Sequence, residues 1–193
     1  MKTKLLTTRN MVYIAMLAAV GTVLYFIAEI PIIPSASWLK VDFATIPAII
    51  GAVIISPMAG VIIVLLQNII HLFKTTSVGI GELINFIVGS GIVLSFALTL
   101  KLSRKRLNLL VSSVIAAAVT VAVTVVVGLL ANVALFPFYM FIMGNPQLPA
   151  AAFISYLIST IPMNLVKALI NVLPVAFVIK QLEKFSVKQN DVK

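Results

Sequence analysis

The stretch LLVSSVIAAAVTVAVTVVVGLLANVALFP, residues 109–137, contains no charged residue. It exceeds the roughly 20 residues a helix needs to cross a hydrocarbon core of about 30 Å. Its apolar positions run on without the polar alternation of a barrel strand, so a membrane helix is the reading. The composition extends that reading to the whole chain: 62% of the 193 residues are hydrophobic, 10% are charged, and the mean hydropathy is +1.19. The chain reads as an all-α integral membrane protein.

At about 20 residues per span, the length allows five to seven helices and no separate soluble domain, so residues 1–193 are expected to form one bundle. Six transmembrane helices are drawn at 10–30, 43–55, 57–73, 81–100, 107–136 and 151–179. The second and third are short. Joined into one helix kinked at Pro57 they would span about 46 Å, too long for the core. The basic residues decide the parity. With six spans, Lys2, Lys4, Arg9, the cluster Lys101, Arg104, Lys105 and Arg106, and Lys180, Lys184, Lys188 and Lys193 all lie on one side. The positive-inside rule then puts both termini in the cytoplasm. The net charge of +9 is a topology signal flanking apolar spans and does not point to nucleic acid. Residues 1–20 begin like a signal peptide, but the apolar run continues to Ile30 with Glu29 as its sole charge, so a retained first helix is expected. The absence of cysteine excludes disulfides and thiolate metal sites.

Polar residues inside the spans gather toward the side opposite the basic clusters. Lys167 is thirteen residues before Lys180, about 20 Å along a helix. A lysine at that depth costs about 2.5–3.5 kcal/mol on insertion scales and needs a partner or a role. Asn164 and Asn171, at i−3 and i+4, share its face. Asn68 and His71 stand i,i+3 near the outer end of the third span, and Glu82 and Asn85 repeat that spacing at the outer start of the fourth. Asn132 lies near the outer end of the fifth, while Asp42 and Thr45 open the second. A through-channel would carry polar groups along its full length, so this one-sided set points to a closed binding pocket facing outward.

The outer connections 31–42 and 137–150 are rich in Pro and aromatics, suiting an interfacial belt or a cover over the pocket. Ala116, Thr120, Thr124, Gly128 and Asn132 form an i,i+4 stripe of small residues suited to internal packing, and Ala15 and Ala19 form a second small-residue pair. No phosphate-binding G-x-x-x-x-G-K-[ST] loop is present to bind ATP. Gly89-Ser90-Gly91 with His71 is a poor match to an intramembrane serine protease, and no cofactor or metal is expected. An enzyme is not the reading.

Three stretches together carry a resemblance: Leu39-Lys40-Val41-Asp42-Phe43-Ala44-Thr45-Ile46-Pro47, Gly81-Glu82-Leu83-Ile84-Asn85-Phe86 and Pro162-Met163-Asn164-Leu165-Val166-Lys167. The chain resembles the riboflavin-binding S components (RibU type) of energy-coupling-factor (ECF) vitamin transporters. The resemblance implies a bacterial plasma-membrane protein that captures riboflavin outside, under the loop that follows the first helix. It also implies a transmembrane T component and two ATPases as partners, with Ala15 and Ala19 at the place of the family's docking motif. Leu39, Phe43, Thr45, Asn68, Glu82, Asn85, Asn132, Asn164 and Lys167 are the expected ligand residues, with Glu82 also able to neutralise Lys167. Another vitamin, or an ion-coupled carrier titrating Glu82, His71 and Lys167, are the alternatives.

Overall fold

The computed structural model describes residues 7–32, 40–75, 77–144 and 149–182. Six α-helices occur among them: α1 Thr8–Ile27, α2 Thr45–Ile54, α3 Pro57–His71, α4 Ile80–Ser103, α5 Leu109–Ile142 and α6 Ala150–Phe177. A 3-10 turn, Leu72–Lys74, extends α3. Five of these helices are long and apolar enough to cross a membrane. The ten-residue α2 is not; it rises only about 15 Å.

Ser56 ends any continuity between α2 and α3. It is extended, its hydroxyl accepts from the Ala59 amide at 3.2 Å, and Pro57 occupies the first helical position. The two helices fold back on each other as a hairpin instead of forming one kinked rod. Gly60 permits the close approach, since a Cβ there would lie 2.7 Å from the Ala48 carbonyl oxygen.

Three helix ends differ from the sequence expectation by three residues or more. α1 stops at Ile27, three residues before Ile30, because Ile30–Pro31 leaves the helix to pair antiparallel with Lys40–Val41, designated β1 and β2. Proline disfavours helical backbone at the residue before it. α4 continues three residues beyond Leu100 to Ser103. α5 continues through Pro137 to Ile142, six residues past the expected end at Phe136. A proline removes one backbone hydrogen bond but does not stop a membrane helix whose neighbours support it. Phe138, Tyr139 and Phe141 are therefore helical, and the α5–α6 connection shortens to 143–149.

The core is apolar and centred on α4. Phe96, Ile92 and Val93 are fully enclosed among Ile49 and Ile63 of the hairpin and Val172 and Val175 of α6. The outer surface is equally apolar: Met16, Val114, Leu130, Ile158 and Phe177 are exposed. Such a surface suits lipid, where it carries no hydration cost. The small-residue stripe of α5 faces inward, with Ala116, Thr120 and Thr124 completely buried.

Candidate ligand-binding site

A cavity of about 650 Å³ opens between the end of α1, the end of α3, the start of α4, the last turns of α5 and the first half of α6. All of these lie at the end of the bundle away from Arg9, the Lys101–Arg106 turn and Lys180. α5, at 34 residues, measures about 51 Å against a core of about 30 Å, which carries Tyr139 and Met140 to the cavity mouth.

Lys167 is 4% exposed and paired. Its Nζ donates to Asp42 Oδ2 at 2.8 Å and to Asn85 Oδ1. Asp42 is fixed in turn: Oδ1 accepts from the Ala44 amide at 2.9 Å, opening α2, and its carbonyl accepts from Asn171 Nδ2 at 2.8 Å. The sequence suggestion that Glu82 neutralises Lys167 is corrected, because Asp42 takes that place. A buried ammonium needs both a counter-charge and hydrogen bonds, and the aspartate at the mouth of α2 supplies them where Glu82 is already engaged.

Glu82 sits in the first turn of α4, where the helix dipole favours an acid. Its Oε1 lies 3.1 Å from His71 Nδ1, and its Oε2 accepts from Thr75 Oγ1 at 2.8 Å and Ser77 Oγ at 3.0 Å. His71 ends α3 and stacks on Tyr25 with ring centroids 3.7 Å apart. Its Nε2 lies 3.2 Å from Glu29 Oε1 but is not aligned as a hydrogen bond. Glu29 also receives Lys40 at 2.8 Å and Lys74 at 3.5 Å. Three carboxylates (Glu29, Asp42, Glu82) and three lysines (Lys40, Lys74, Lys167) thus line the cavity, each ion-paired or hydrogen-bonded within it. Asn85 Nδ2 donates to Tyr25 Oη at 2.7 Å and to Asn68 Oδ1 at 3.3 Å, tying the Lys167 pair to the Tyr25–His71 stack.

The α5–α6 side has a different character. Asn164 Nδ2 donates to the Thr160 carbonyl at 2.9 Å, which leaves Oδ1 as the other amide atom; it is buried and has no partner. Asn164 lies against Gly128, where a Cβ would stand 2.4 Å from its Nδ2. One turn along α5, Asn132 Nδ2 donates to the Gly128 carbonyl at 2.7 Å. Phe136 and Tyr156 stack beside them and line the cavity.

Of the residues expected from the sequence, Glu82, Asn85, Asn132, Asn164 and Lys167 all line the cavity. Asn68 stands behind Asn85. Thr45 is buried in the first turn of α2 and Phe43 is half-buried; neither is among the lining residues. Leu39 lies outside the described residues, as do Pro34, Trp38 and Pro146. Ala15 and Ala19 are exposed on the outer face of α1, with Ala18 turned inward. Sequence reasoning missed Tyr25, Glu29, Phe136, Met140 and Tyr156. Tyr25 and Glu29 are i,i+4 on α1, a spacing that could have flagged them. Phe136 and its neighbours were hidden by reading Pro137 as the end of a helix.

Comparison with known proteins agrees with this architecture. Residues 9–179 match the model of the family described as "ECF transporter, substrate-specific component". The chain is 25% identical over 166 residues to the riboflavin transporter FmnP of Bacillus subtilis (strain 168), covering 84% of this chain and 85% of that one. It is 26% identical over 163 residues to the riboflavin transporter RibU of Staphylococcus aureus (strain TCH60), covering 84% of each. The fold matches the solved S component of a bacterial ECF transporter with a TM-score of 0.65 at 24% identity, over 91% of this chain and 95% of that one.

Proposed function

The chain belongs to the substrate-specific components of ECF transporters, a multi-pass bacterial cell-membrane family, and from that premise we propose that it captures riboflavin in the cavity between α1, α3, α4, α5 and α6. The observation that carries the ligand assignment is the polarity of three neighbouring groups. Asn132 offers an N–H, Asn164 offers a buried oxygen without a partner, and Lys167 has a third ammonium hydrogen beyond those given to Asp42 and Asn85. A donor, acceptor and donor in that order complement an imide edge, in which an N–H stands between two carbonyls. The pyrimidine end of isoalloxazine has that pattern. The flanking Phe136, Tyr156 and Met163 suit its flat apolar faces, and a cavity of about 650 Å³ falls in the range of small-molecule sites. The riboflavin-transporter names of the two relatives support the same ligand.

The cavity faces outward in this reading, because the basic residues flank the opposite helix ends. α2 and α3 count as two crossings, giving six, with both termini in the cytoplasm and no cofactor. The whole chain works as one domain. Energy comes from a T component and two ATPases, consistent with the missing phosphate loop, and exposed Ala15 and Ala19 form the docking face for the T component.

The test is to purify the protein in mild detergent from riboflavin-replete cells, record its visible spectrum, and identify what heat releases. Near-stoichiometric riboflavin is expected. A colourless protein that also fails to quench added riboflavin contradicts the proposal.

A further inference from the structure

Tyr156 makes two contacts whose geometry bears on recognition. Its hydroxyl donates to Asn132 Oδ1. Its ring stacks on Phe136 with centroids 3.7 Å apart and 15° between planes. Both rings border the cavity.

The orientation of the Asn132 amide follows from these partners. A backbone carbonyl only accepts, so the atom 2.7 Å from the Gly128 oxygen is Nδ2, and Oδ1 turns to Tyr156. With Oδ1 taken by the phenol and one hydrogen of Nδ2 taken by Gly128, the remaining N–H is what Asn132 presents. Asn164 beside it differs at one atom: its Nδ2 likewise gives one hydrogen to a carbonyl, that of Thr160, but its buried Oδ1 has no partner. Two asparagines of identical chemistry line one cavity and differ only at the oxygen, occupied at Asn132 and without a partner at Asn164; the difference comes from Tyr156.

We propose, resting on the riboflavin reading above, that Tyr156 is a positioning residue for ligand recognition. Its hydroxyl holds Asn132 as a donor toward a carbonyl or ring-nitrogen acceptor on the ligand's ring edge, and Phe136 braces the phenol at the angle this requires. Without the hydroxyl, Asn132 Oδ1 becomes an uncommitted acceptor beside the N–H that the ligand's acceptor meets, and the amide is held by its Gly128 bond alone. The site then loses discrimination as well as affinity.

The test is a double-mutant cycle on the full chain, with Tyr156→Phe, Asn132→Ala and both together. Riboflavin affinity is read by fluorescence quenching, the bound flavin by its near-ultraviolet band, and the ligand-free fold by thermal unfolding. Tyr156→Phe is expected to weaken riboflavin about three- to tenfold, the worth of one hydrogen bond. The double variant should bind no more weakly than Asn132→Ala alone. The near-ultraviolet band, which responds to hydrogen bonds at flavin carbonyls, should move in the same direction in all three variants. If Asn132→Ala does not yield folded protein, Asn132→Ser takes its place in the cycle. Additive losses overturn the proposal. Wild-type affinity in Tyr156→Phe overturns it too, as does weaker binding with an unmoved flavin band, which would mean packing alone. A wild-type chain that binds no riboflavin overturns the parent reading, and this inference with it.

Discussion

On the wall built by α1, α3 and the start of α4, charged side chains answer one another: Glu29 receives Lys40 and Lys74 and faces His71, while Glu82 faces His71, Thr75 and Ser77. On the wall built by α5 and α6, neutral amides and aromatic rings predominate, and Asn164 keeps a buried oxygen without a partner. Both walls are polar and both line one cavity, yet they have different work to do. A network saturated at its carboxylates and lysines, though His71 Nε2 makes no hydrogen bond, fixes the shape of the site and the turn between α3 and α4. An unsaturated one leaves groups for a ligand to complete, because a buried polar atom without a partner costs about 1–3 kcal/mol that a ligand can recover.

Lys167 stands where the walls meet, so it gives the largest expected effect. Lys167→Ala removes the counter-charge of Asp42 at a buried position, with an expected cost of about 3–5 kcal/mol in stability. Riboflavin binding should be lost as well. Thermal unfolding and a riboflavin titration measure the two losses separately, and Lys167→Met with Asp42→Asn should restore much of the stability without the affinity. Affinity restored by that neutral pair would place the lysine in the structural wall alone.

Asn164→Ala comes next, and it tests the unsaturated wall. Its expected cost is about 1–3 kcal/mol in binding, or roughly ten- to a hundredfold in affinity, with little change in unfolding temperature. Gly128→Ala should imitate it, since its methyl group would press on the Asn164 amide.

Glu82→Gln tests the saturated wall from the other side. It removes the charge facing His71 while keeping the shape, so unfolding temperature should fall and riboflavin affinity should stay within about threefold. A large affinity loss with an unchanged unfolding temperature would assign Glu82 to the ligand and break the comparison. The smallest effect at the pocket belongs to Ala15→Leu with Ala19→Leu. These side chains face outward on α1, so binding by the isolated chain should be unchanged, whereas uptake in vesicles with the T component and ATPases should fail.

Local signals in the sequence carried most of this architecture, and long-range pairing lay beyond them. Six apolar segments are legible because lipid enforces long uncharged helices, and the Ser56–Pro57 break is legible because that pair starts a helix. The depth of Lys167, Asn164 and Asn132 follows from counting residues along a helix. The partner of Lys167 does not, since Asp42 is 125 positions away and Glu82 was an equally acceptable acid until the bundle closed. Pro137 misled for the opposite reason: a local rule about proline was overridden by the packing of α5 on α4 and α6. That override left Tyr139 and Met140 in a supposed loop and Phe136 at a helix end, so their place on one wall of the site went unread.

The most direct measurement is a paired fluorescence titration of the ligand-free wild-type protein with riboflavin and with N3-methylriboflavin, which lacks the imide N–H. The expected result is that riboflavin saturates at one per chain and the methylated flavin binds tens of times more weakly or worse, because Asn164 Oδ1 would then meet a methyl group instead of a donor. Equal binding of the two flavins, or none of either, would contradict it.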